Sequence, residues 1–172
     1  MQYEDKINEV YLVLQKLVGF HKQLLELVRL ERTALESANL KNIEEVTYSK
    51  EVLIHSIKQA ELERVRSVAN LAAQMEVHIA DLSLSNLVLA LQQKELQNSE
   101  KFRSVQNTLK VLIEHIVEQN QANQKLVNAS LKHVQEMKIN ALGENQNQSQ
   151  TYTAKGQKNN QTTASRLVSQ EA

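Results

Sequence analysis

Apolar residues recur along most of this chain in alternating steps of three and four, with no Pro to interrupt them. The first such run, over about 3–37, places Ile7, Val10, Leu14, Leu17, Leu24, Val28 and Leu35 on one stripe. Tyr11, Val18 and Leu25 widen it. A 3.5-residue period marks a helix packed against other helices. At 1.5 Å per residue such a helix is about 50 Å long. Gly19 sits inside it at a cost of about 1 kcal/mol relative to Ala, and is expected to mark a bend or the close approach of a neighbour.

The stretch around Asn39 is the strongest break in the first half, because Asn tolerates the left-handed conformation that ends helices and also caps helix starts. A helical hairpin with a very short turn is predicted there. The second helix, over about 40–78, carries the stripe Ile43, Thr47, Lys50, Ile54, Ile57, Glu61, Arg64, Val68, Leu71 and Met75, with Val46, Leu53 and Ala60 beside it. Lys50, Glu61 and Arg64 in that stripe either pair between helices or mark a solvated face. Asp81, Ser83 and Ser85 are capping residues, so a connection near 80–83 and a short helix over 84–91 follow. A long third helix is expected from about residue 93 to Leu142, with Gly143 as its stop.

That helix holds a puzzle. Its stripe arrives as Phe102, Val105, Leu109, Leu112 and Ile116, meets two amides at Asn120 and Asn123, and resumes with Val127, Ser130, Val134 and Met137. A polar residue in a helical seam fixes register or oligomeric state. An amide-broken apolar groove also suits a partner helix that docks and later leaves, since the amides weaken indiscriminate collapse and can bond the visitor. Both readings stay open for Asn120 and Asn123.

Composition agrees with helices alone: 172 residues with no Pro, Cys or Trp and three Gly, and aromatics at 3%. The fold class expected is all-α, an elongated antiparallel hairpin plus a short helix and a long third helix, coiled-coil-like. Residues 1–143 form the helical domain. Residues 144–172 are rich in Gln, Asn, Ser and Thr and bury too little to offset the entropy of ordering, so they are expected to be a disordered tail.

Lys plus Arg and Asp plus Glu number 20 each, which gives no electrostatic case for nucleic acid or an anionic membrane. No run is apolar enough to span a membrane or act as a secretory signal, so a cytoplasmic protein is expected. The five histidines are His21, His55, His78, His115 and His133, and Glu-x-x-His, the bundle metal motif, does not occur. Without a Gly-rich phosphate loop or a nucleophile motif, an enzyme is not expected, nor is a cofactor or metal.

Three local patterns nevertheless resemble one family. The run LLELVRLERTALESANLKNIEEVTYSKEVLIHSIKQAELERVRSV, with Glu31 four before Leu35, a short turn, then Lys50 and Arg64, is similar to the long hairpin of the FlgN-type flagellar export chaperones. The run NQANQKLVNASLKHV, with the pair Ser130 and Leu131, resembles that family's amide-bearing segment. TYTAKG, with Tyr152 and Gly156, resembles a tail element. The resemblance covers about residues 7–156. It implies a non-enzymatic chaperone that holds C-terminal helical segments of hook-associated proteins and delivers them to a flagellar export-gate platform protein. By position, the client groove would comprise Leu112, Ile116, Asn120, Asn123, Val127, Ser130, Leu131 and Val134, and Tyr152 would dock the export gate. The alternatives are a structural coiled-coil homodimer with the third helix as its seam, so that monomer and homodimer both stay open, and a bundle carboxylate metalloprotein.

Overall fold

The computed structural model describes residues 4–76, 78, 83–93 and 98–142, and the described residues are helical apart from caps and turns. Four helices follow in chain order: α1 (Glu4–Glu36), α2 (Leu40–Met75), α3 (Leu84–Gln93) and α4 (Ser99–Leu142). The all-α class and the hairpin, short helix and long helix are as the periodicity predicts. Gly143, Asp81, Tyr152 and the rest of 144–172 lie outside the described residues. By contacts the chain forms two compact units, Met1–Ala129 and Ser130–Ala172.

The hairpin turn is as short as expected, and it divides between two residues the two roles that Asn39 could have filled. Ala38, not Asn39, takes the left-handed conformation, with φ 50°. Asn39 N–H donates to Ala34 O and Ala38 N–H to Leu35 O, both at 3.1 Å, which closes the end of α1. Asn39 is extended and its side chain accepts from Asn42 N–H at 3.2 Å, capping α2. Helix α2 stops at Met75, short of residue 78, because Glu76 turns left-handed (φ 52°) and sends its N–H back to Ala72 and Ala73 carbonyls. Ser83 caps α3 by accepting from Asn86 N–H.

Two hydrophobic clusters fill the first unit. The larger joins all four helices, with Leu14, Leu71, Leu87, Leu91 and Phe102 at its fully buried centre. Tyr11 meets the Phe102 ring edge-on at 5.7 Å and 63°, a geometry favoured by the ring quadrupoles. The smaller holds Leu24, Leu25, Val28, Leu53 and Ile116. Phe20, Ile57 and Leu112 touch both.

In α2 the predicted stripe holds at its C-terminal end, where Val68, Leu71 and Met75 are buried, while in the middle of the helix the buried line runs one residue to the side, through the adjoining Leu53 and Ala60. Leu53, Ala60 and Ser67 are buried with Val68, Leu71 and Met75, whereas Thr47, Ile54 and Glu61 are exposed. A straight helix drifts relative to a strict 3.5 repeat, and here the residues beside the polar Thr47 and Glu61 turn inward. Gly19 also departs from expectation: a Cβ there would meet nothing within 4 Å, so no neighbour among the described residues requires it to be Gly.

Candidate functional site

The apolar seam of α1 continues by the same steps from Leu24 and Val28 to Glu31. At the matching level α2 supplies Lys50 and α4 supplies Asn123, so three helices each place a polar group at one layer. Lys50 Nζ lies 2.8 Å from Glu31 Oε2, with both side chains 17% exposed. Asn123 is 3% exposed. Its amide nitrogen donates to Val28 O and to Glu31 Oε2, each at 2.9 Å. Both partners are acceptors, so the NH2 group must face them. Asn123 Oδ1 is buried without a hydrogen-bond partner, a cost of about 1–3 kcal/mol. Lys50 Nζ also makes a long 3.5 Å contact with Asn120 Oδ1.

The geometry of this node is what a register-fixing polar layer requires: among the described residues Asn123 supplies the amide that reaches Glu31, and sliding α4 by one residue would remove it and leave Val28 facing a different side chain. Lys50 and Glu31 therefore pair between helices, one of the two roles left open. Arg64 pairs with Glu61 within α2, at 2.6 Å; Glu61 is solvated.

The eight groove candidates divide. Ile116 and Asn123 are buried, the former in the smaller cluster, and half-buried Leu112 packs against both clusters. Val127 is half-buried and Asn120 exposed. Ser130, Leu131 and Val134 are exposed. Leu112, Ile116 and Asn123 are thus brought together on the hairpin in the resting structure.

Within the second unit, every described side chain from Ser130 to Ala141 is exposed. Leu131, Val134 and Met137 stand 56%, 61% and 56% open, and steps of three set them on one face. Ile139, also open, points the other way by helical spacing. Met137 was legible in the seam pattern but absent from the candidate groove; spacing alone would have included it.

The remaining chemistry is sparse. His55, His78, His115 and His133 are exposed, and half-buried His21 places Nδ1 2.8 Å from Leu17 O. Among the described residues no group of three or more His, Asp or Glu could hold a metal ion. No described helix is long and apolar enough to cross a membrane. The Glu9 carboxyl titrates below its ordinary range, first because Lys6 donates to it and then because the Ser67 hydroxyl does. A recess of about 700 Å³, floored by Leu14, Leu17, Ile57, Leu84, Leu109 and Ile113, opens in the first unit.

The FlgN protein family model matches residues 1–160. The chain belongs to the FlgN family. As a family member it is a flagellar export chaperone, of a family that binds flagellar hook-associated proteins and is a chaperone rather than an enzyme family. No curated protein and no solved structure matches the chain.

Proposed function

We propose that this FlgN-family chaperone works in the cytoplasm, holds the C-terminal helical segments of hook-associated proteins on distal α4, and hands them to the export-gate platform protein. The observation that carries the client site is the exposed stripe of Leu131, Val134 and Met137 beside Ser130. An amphipathic client helix would lay its apolar face on that stripe, in the helix-against-helix mode that recognises partners through steps of three and four. Contact with a few half-exposed side chains gives moderate affinity, and the client orders as it binds, so release for export stays possible.

In this reading Leu112, Ile116 and Asn123 serve by holding the proximal part of α4 on the hairpin, and Val127 lies between the two roles. Exposed Asn120 remains available to bond a visitor. Tyr152 is the proposed export-gate anchor, since one ring in a polar segment supplies roughly 1.5–3 kcal/mol on burial. The test is titration with a synthetic peptide from a hook-associated protein C-terminus. Leu131→Asp with Val134→Asp is expected to lower affinity at least tenfold without loss of helix content. Absence of binding by the unaltered protein at micromolar concentration defeats the proposal. A client-free dimer broken by the same two changes would instead support the coiled-coil alternative.

A further inference from the structure

Gly19 has no explanation among the described residues. It lies in the middle of α1, where Gly costs about 1 kcal/mol relative to Ala, yet an added Cβ would meet nothing within 4 Å. Its surroundings on the outer face supply a reason. Steps of four and three carry one helical line through Leu12, Lys16, Gly19, Gln23, Glu26 and Leu30. Leu12 and Leu30 are 59% and 53% exposed. Lys16, Gln23 and Glu26 are exposed too.

We propose that this face of α1 pairs antiparallel with the same face of a second copy of the chain. The line is self-complementary. A two-fold axis beside residue 21 sets Leu12 against Leu30 of the second copy, Lys16 against Glu26, and Gly19 against Gln23, and each pair occurs twice, as an isologous contact requires. A parallel pairing would bring Lys16 to Lys16 and Glu26 to Glu26, so charge selects the antiparallel arrangement. Gly19 leaves room for the Gln23 side chain opposite. A shallow recess of about 440 Å³, lined by Lys22, Gln23, Glu26 and Leu27, lies next to that gap.

Lys16 and Glu26 already have partners in the single chain, Glu63 at 2.9 Å and Arg29 at 2.6 Å. All four side chains are about half exposed, and such pairs contribute only about 0–1 kcal/mol. Exchanging them for pairs across the axis is therefore close to neutral, and the burial of four leucines supplies the drive. The line is about 27 Å long, shorter than a standard interface demands, which places the dimer at the weak, transient end. This line shares no residue with the α4 stripe of the proposed client site.

Sedimentation equilibrium over a series reaching millimolar chain tests the proposal with four samples: the unaltered protein, Lys16→Glu, Glu26→Lys, and an equimolar mixture of the two variants. The unaltered protein is expected to dimerise with rising concentration. Each variant alone should associate at least tenfold more weakly, because both cross-axis pairs become like-charged. The mixture should recover the original association, since each variant's altered residue then faces an opposite charge. Circular dichroism of the single variants checks that the helices persist. The proposal is overturned if the unaltered protein stays monomeric throughout, if either single change leaves dimerisation intact, or if mixing restores nothing.

Discussion

The proximal and distal parts of α4 are written in the same apolar spacing and meet different fates. Phe102, Val105, Leu109 and Ile116 are buried, whereas Leu131, Val134 and Met137 are more than half open. The difference does not come from hydrophobicity along the helix, which supplies large aliphatics in both stretches. It comes from what the hairpin offers. Proximal α4 meets two clusters and then the Glu31–Lys50 pair, where Asn123 uses both its N–H groups. An apolar stripe with an intramolecular partner is a core; a stripe left open among the described residues is the surface on which the proposed function seats a client.

The comparison is broken most severely by truncating the proximal side. Phe102→Ala removes a ring that is 1% exposed and its edge contact with Tyr11, and is expected to cost about 3–5 kcal/mol, read as a fall in the thermal midpoint. Val134→Ala on the distal side should change stability by less than about 0.5 kcal/mol while weakening the client peptide. Equal losses at the two sites would erase the distinction.

The node comes next. Lys50→Met leaves Glu31, 17% exposed, with the neutral Asn123 amide but no ammonium as its partner among the described residues, and a mostly buried carboxylate without a counter-charge is expected to cost about 2 kcal/mol, read by denaturant unfolding. A loss under 0.5 kcal/mol would show that the pin is solvated and that proximal α4 is as open as distal α4.

A smaller effect of opposite sign belongs to the hairpin turn. Ala38 occupies a left-handed conformation (φ 50°) that disfavours a Cβ by about 1–2 kcal/mol. Ala38→Gly should raise stability by about 1 kcal/mol, and no gain would mean that the turn relaxes away from that geometry. The smallest effect is an acid response at Glu9. Its folded-state titration lies below the ordinary 4.5, so its contribution is complete above that pH and disappears as pH falls through the lowered value. Glu9→Gln should lower stability slightly at neutrality and flatten the profile below about pH 4.5, the difference from the unaltered protein vanishing as pH falls through the lowered value.

How far the sequence could be read follows from these same residues. The hairpin was legible because Asn39 interrupts two long stripes, and α3 because Ser83 is a strong cap. In α2 spacing finds Val68, Leu71 and Met75 but not the inward residue in the middle of the helix, because Leu53 and Ile54, adjacent and equally apolar, give it nothing to choose between. Asn123 was singled out as a polar residue in a seam, but its partner was not. Glu31, Lys50 and Asn123 lie far apart in the chain, and only the packed hairpin shows that one carboxylate serves both a Lys and an amide. Asn120 shows the opposite case: spacing placed it in the seam, and the helix turned it outward against the Lys50 ammonium.

Amide hydrogen exchange along α4, with and without a hook-associated protein C-terminal peptide, tests the division of this helix most directly. In the free chaperone, amides between Leu112 and Asn123 should exchange slowly and those between Ser130 and Ala141 quickly. Added peptide should protect the distal amides and leave the proximal ones unchanged. Protection confined to Leu112–Asn123, or none anywhere on α4, would contradict the account.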